Sequence, residues 1–221
     1  MIMYVPLWCK SHFSFLKGAS HPEELIETAR RLGIPALALT DHDGLYGIVR
    51  GQAAARENGI KLICGAQVTL SDGSSIVLLV QNRKGYRNLC RLLTAGQGRT
   101  AKGSSYVIWK EVCEYAEGLI ALWGGSNSLL AGRADPGIVG RMVTEAFGER
   151  LYGLVVRHLS ASDQVLEYRT KERVKKYGIS VAAAVEVQYH TRARRPLQDM
   201  MTCIREKLTI TTIGRRINQN A

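Results

Sequence analysis

Short apolar runs alternate with amphipathic, capped helical stretches along the whole of this 221-residue chain, and that rhythm restricts its fold more than any single motif. A strand, a helix and a second strand return to one sheet through a parallel crossover, so repeated β/α units argue against a β-sandwich or a helix bundle. Candidate strands fall at 3–9, 36–40, 62–69, 75–80, 118–122, 151–157 and 179–185. Helices are expected from Ser20 to Gly33 and near 46–58, 84–94, 138–147, 162–177 and 194–206, with a surface loop at 95–106. Seven such units predict an α/β fold, a distorted seven-stranded β/α barrel, whose chemistry sits at the C-terminal ends of the strands. One domain is expected over 1–190, followed by a basic helix and tail over 191–221.

The first helix carries the clearest local signals. Ser20 reads as its N-cap with Glu23 as the capping-box partner, and Pro22 is tolerated in the first turn. Leu25, Ala29 and Leu32 make an apolar stripe, and Gly33 supplies a left-handed terminator. In 162–177, Tyr168, Arg169, Lys171, Arg173, Lys175 and Lys176 are expected to form a solvated basic surface, with Val165, Leu166 and Val174 packed inward.

Hydrophobic residues at 46% and charged residues at 22% suit a soluble globular protein rather than a disordered one. Cys9, Cys64, Cys90, Cys113 and Cys203 are odd in number and never spaced C-x-x-C, which argues against a disulfide framework or zinc ribbon and suits a reducing, cytoplasmic setting. No basic leader precedes an apolar stretch at the start, and no run of 18 apolar residues occurs, so neither a signal peptide nor a membrane span is expected. The net charge of +11 would attract a polyanion such as DNA. Arg192, Arg194, Arg195, Arg205, Lys207, Arg215 and Arg216 concentrate that charge late in the chain and are the candidate nucleic-acid contacts.

The sharpest chemical constellation is Thr40-Asp41-His42-Asp43-Gly44, where an apolar strand gives way to the next helix. A carboxylate and an imidazole exposed together at a strand end can serve a metal or an acid/base site, whereas the same aspartates could simply cap or turn. Glu186-Val187-Gln188-Tyr189-His190 follows another strand, where alternation turns Glu186 and Gln188 the same way, and Arg157-His158 closes a third. His190 is read as a helix-entry or surface residue, and His12 and His21 as turn or cap residues.

The run from Thr40 through Gly47, preceded by Phe13-Ser14-Phe15-Leu16-Lys17-Gly18-Ala19-Ser20-His21-Pro22-Glu23-Glu24-Leu25, resembles the opening of the PHP domain of error-prone DNA polymerase III alpha subunits. Gly85 through Leu92, Tyr189-His190-Thr191, Arg194 through Asp199 and Thr202-Cys203-Ile204-Arg205 are similar to later blocks, so the resemblance covers about residues 4 to 220. It implies a seven-stranded β/α barrel. Active members hold three metal ions on His, Asp, Glu and Cys side chains and hydrolyse phosphoesters, while others serve as inactive supports.

Carried over position by position, most of those ligands are missing. The opening H-x-H falls on Trp8 and Lys10, and the acidic residue before the Gly-Ala pair falls on Lys17. Gly-x-Glu becomes Gly65-Ala66-Gln67, the next histidine becomes Ser75 or Ile76, a cysteine becomes Gly125, and the final Asp-x-His becomes Glu186 and Gln188. His42 is retained, so Asp41, His42 and Glu186 are remnant positions of a metal site; no catalytic residue and no cofactor are expected, with one weakly held divalent metal as the alternative. Protonated lysines offer no lone pair, and Lys10 is expected to pair with Asp41 or Glu186 in place of a missing cation. The resemblance implies a structural PHP domain that docks on a polymerase core of the same or a neighbouring chain. Rival readings are a metal-dependent phosphoesterase or 3′–5′ exonuclease with an altered site, and a free-standing DNA-binding module.

Overall fold

The computed structural model describes residues 4–158 and 160–214. Its central sheet has six strands in chain order: β1 (Ala36–His42), β2 (Lys61–Thr69), β3 (Ser75–Val80), β4 (Leu119–Gly124), β5 (Leu151–Val155) and β6 (Ser180–Ala183). Around it lie α1 (Pro22–Arg31), α2 (Ile48–Asn58), α3 (Arg83–Gly98), α4 (Trp109–Glu114), α5 (Ile138–Phe147), α6 (Asp163–Tyr177) and α7 (Arg195–Glu206). The strand expected at 3–9 is reduced to Cys9, which bridges Leu39 on one side and Val187 on the other. The Lys10 amide donates to Val187 O and the Val187 amide to Trp8 O, so segment 6–10 ties β1 to the chain beyond β6.

Three strand pairs are parallel, but β3 runs antiparallel to both β2 and β4, contrary to the all-parallel reading. The reason is the connection: a tight turn joins β2 to β3, too short for a parallel crossover. Asp72 Oδ1 accepts from the Ser74 amide at 2.9 Å, Gly73 takes φ +79°, and Trp109 Nε1 donates to Asp72 Oδ2 at 2.8 Å.

At α1 the N-cap is His21 rather than Ser20, and its amide donates to Glu24 Oε2 at 2.8 Å. Ser20 is turned away because its hydroxyl meets His190 Nδ1 at 2.8 Å. Leu25, Ile26 and Ala29 carry the buried face, while Leu32 is exposed, and Gly33 takes φ +69° just past the helix. Helix α3 runs on to Gly98 through part of the expected loop, and the short α4 was not foreseen. A Cβ on Gly96 would lie 2.8 Å from Ser105 Oγ, so this glycine allows close approach and does not mark a loop. In α6, Val165 is exposed and Arg173 is buried, reversing both expectations. The Arg173 guanidinium donates to the carbonyls of Leu129, Leu130, Arg133 and Ala134, which fold over it.

Trp8, Ala38, Val77, Leu79, Leu122, Leu154 and Ala184 pack on one side of the sheet. A larger cluster including Leu78, Leu89, Leu92, Trp109, Trp123 and Phe147 joins it to α3, α4 and α5. The ends of β1, β2, β4, β5 and β6, together with the start of β3, open towards one mouth.

Candidate functional site

Asp41 and His42 close β1 and face opposite ways, as neighbouring strand residues must. The Asp41 carboxylate, 2% exposed, accepts from the Ser11 amide at 2.7 Å, Ser11 Oγ at 2.8 Å and Ser14 Oγ at 2.6 Å. Three donors are enough to satisfy it, so it pins the 11–14 turn instead of meeting Lys10. Asp43, held at φ +50°, donates its amide to Gln67 O and receives the Thr69 amide at 2.7 Å and Thr69 Oγ1 at 2.8 Å. Burial raises its carboxyl from the ordinary aspartate range, against the pull of the Thr69 bonds.

Two ammonium groups occupy the mouth. Lys10, 4% exposed, pairs through Nζ with Glu186 Oε1, which settles the choice between Glu186 and Asp41. Lys17 Nζ lies 2.6 Å from His42 Nε2, and Asp43 Oδ2 is 3.2 Å from the same nitrogen. Burial and the neighbouring Lys10 lower Lys17 to about 8. Burial, then Lys17, Lys10 and Arg205, hold His42 down at about 3, so its ring is neutral and Nε2 accepts from the Lys17 ammonium. His42 Nδ1 is buried without a hydrogen-bond partner. Arg205 reaches over from α7, donating to Leu16 O at 2.9 Å, and joins these residues around a cleft of about 480 Å³.

The other positions onto which the resemblance carries the family's ligands have equally definite occupants. Gln67 Nε2 donates to Ser75 Oγ at 3.0 Å, and Ile76 is buried in the core. The Trp8 indole, 5% exposed, lies so close to Gly125 that a Cβ there would sit 2.9 Å from Trp8 Cη2. Ring and glycine fit as a pair. Among the described residues no three His, Cys, Asp or Glu side chains converge as a metal would require. A cation would have to displace Lys17 from His42 and Lys10 from Glu186, so the residues present do not fit the family's metal cluster.

Residues 7–151 match the PHP domain family. The chain belongs to that family. It is 41% identical over 232 aligned residues to the error-prone DNA polymerase of Anaeromyxobacter sp. (strain K), covering 99% of this chain and 20% of that protein. With the error-prone DNA polymerase of Pseudomonas fluorescens it shares 38% over 220 residues, 100% of this chain and 21% of that one. This PHP domain thus spans about a fifth of the curated relatives it matches, in their amino-terminal part. In fold it is similar to an amidohydrolase from Chromobacterium violaceum (TM-score 0.55, 17% identity, 84% of this chain and 87% of that one). A lesion-specific endonuclease from Pyrococcus furiosus gives TM-score 0.57 at 14% identity over 88% of this chain and 50% of that one.

Of the remaining expected residues, His190 lies beside Ser20 and Glu24 near the start of α1, while Arg157 pairs with Glu167 on the surface. His158 lines a separate cleft of about 510 Å³ with Ser126 and Asp163. Among the late arginines, Arg194 pairs with Glu24, Arg195 Nε lies 3.9 Å from Asp199, and Arg192 is exposed. Arg215 and Arg216 fall outside the described residues. Sequence reasoning missed Asp43 as the partner of Thr69, the Lys17–His42 pair and the reach of Arg205. The Asp43-Gly44 turn was the available hint for the first.

Proposed function

We propose that this PHP domain is a metal-free, non-catalytic unit that works as the amino-terminal structural support of an error-prone DNA polymerase. The observation that carries it is the pair of lysine contacts, Lys10 with Glu186 and Lys17 with His42. Each ammonium brings positive charge to a position where the family's active members would supply a ligand, and each engages one of the remnant side chains. The mouth keeps its shape through internal cations and gives up the lone pairs that would hold external ones. The likeness to error-prone polymerases over nearly the whole chain supports a place beside a polymerase core.

The test is elemental analysis of the 221-residue chain after equilibration with zinc or manganese and exhaustive dialysis, alongside hydrolysis of bis-p-nitrophenyl phosphate. Less than one ion per chain and no turnover are expected. Two or more retained ions with hydrolysis that disappears in His42→Ala would overturn the reading.

A further inference from the structure

A groove of about 720 Å³ between the 13–17 loop and residues 101–105 adjoins the mouth and shares Lys17, His42, Thr69 and Arg205 with its cleft. Three cations line it: Lys17, Lys102 and Arg205. Its lining carboxylate is Asp43, whose oxygens receive the Thr69 amide and hydroxyl. Phe13, Phe15 and Tyr46 line the same groove, with Phe15 81% and Tyr46 60% exposed.

Single exposed apolar residues are ordinary on a protein surface, but three aromatic rings and three cations around one concavity are not a scattered set. Two of the rings have fixed neighbours. The Arg50 guanidinium sits 6.0 Å from the Phe13 centroid, and Gln97 Nε2 donates to the Tyr46 hydroxyl at 2.9 Å and to Asp43 O at 3.1 Å. Leu16, beside Phe15, takes φ +57°, and its carbonyl is fixed by Arg205.

We propose that this groove binds single-stranded nucleic acid, stacking unpaired bases on Phe15 and Tyr46 and placing phosphates against Lys17, Lys102 and Arg205. Positive charge alone would suit any polyanion; accessible aromatic faces select one with exposed π-surfaces, and paired bases in a duplex do not offer them. Neither Arg192 nor Arg195 lines the groove, and Arg194 is already engaged by Glu24. Binding here goes beyond the supporting role proposed above and requires neither a metal nor a polymerase core.

The probe is a fluorescein-labelled twelve-nucleotide oligothymidylate, followed by anisotropy with the 221-residue chain at several salt concentrations. Three phosphate contacts predict a slope of log affinity against log salt of about −2. Phe15→Ala weakens binding roughly tenfold by removing one stacking face. Lys102→Glu also weakens it and makes the slope shallower by about 0.7, whereas Arg195→Glu changes neither. Phe15 and Lys102 are both exposed, so their replacement leaves the core intact. Absence of binding at low salt would overturn the proposal. So would an affinity that follows Arg195 while ignoring Phe15 and Lys102, or a Phe15→Ala variant that keeps its DNA affinity and loses association with a polymerase core instead. None of these results depends on metal content, so failure here and failure of the metal-free reading are separable.

Discussion

Lys10→Met should be the most informative single perturbation of the mouth. Lys10 and Glu186 have side chains only 5% and 14% exposed, so removing the ammonium strands a largely buried carboxylate without its Lys10 contact. Breaking one partner of such a pair destabilises by about 3–5 kcal/mol, and the lower figure applies here because Lys17 remains near enough to feel the Glu186 charge. A loss of about 3 kcal/mol lowers the folded-to-unfolded ratio by roughly a hundredfold. Glu186→Met should be similarly damaging, since it leaves Lys10 facing Lys17 with its carboxylate removed. The double variant Lys10→Met/Glu186→Met should recover most of the loss, because a well-packed apolar pair can match a buried ion pair. Urea unfolding followed by tryptophan fluorescence, at constant m-value, gives the cycle directly. With about 3 kcal/mol lost in each single variant and about 1 kcal/mol in the double, a coupling of about 5 kcal/mol is expected; additivity within about 0.5 kcal/mol would refute the idea that this contact holds the mouth together.

The neutral His42 makes a pH prediction with a definite sign: unfolded imidazole gains a proton below its ordinary value of 6.5, whereas the folded ring resists until about 3. Stability therefore falls as pH drops from 6.5 towards 3, by up to about 1.4 kcal/mol per unit, and Lys17→Met should flatten that fall when unfolding is measured between pH 4 and 7. Arg173→Met should destabilise by about 2–4 kcal/mol, since four carbonyl contacts to one charged group are lost, and thermal melts would show it. Asp41→Asn should cost about 1–3 kcal/mol by turning an amide N–H donor towards the donors of Ser11 and Ser14, with protease cleavage of the 11–18 loop as the readout.

The β/α rhythm was legible because it rests on local signals: α5 coincides with its expected bounds, and α2 and α6 end at Gly59 and Gly178, both left-handed. Strand direction was not. The reversal of β3 depends on Asp72 and Gly73 closing a turn, and a short apolar run looks the same in either direction. Burial of Arg173 was hidden because its carbonyl partners come from residues 129–134, a separation that no helical periodicity reveals. At the site, the residue types raised the expectation that the family's metal ligands are replaced. The partner of Lys10 could not be read, since Asp41 and Glu186 are equally acidic on paper. What separates them is that Ser11 and Ser14 have already saturated Asp41.

Cys9 touches both Leu39 and Val187, so one residue near the beginning of the chain joins two segments that are made far apart in time. As the chain emerges from the ribosome, the first of these contacts can form early, whereas the second must wait until almost the entire domain has been synthesised. The opening segment therefore faces a long interval with one edge uncovered, and its last hydrogen bonds form only when the end of the domain arrives.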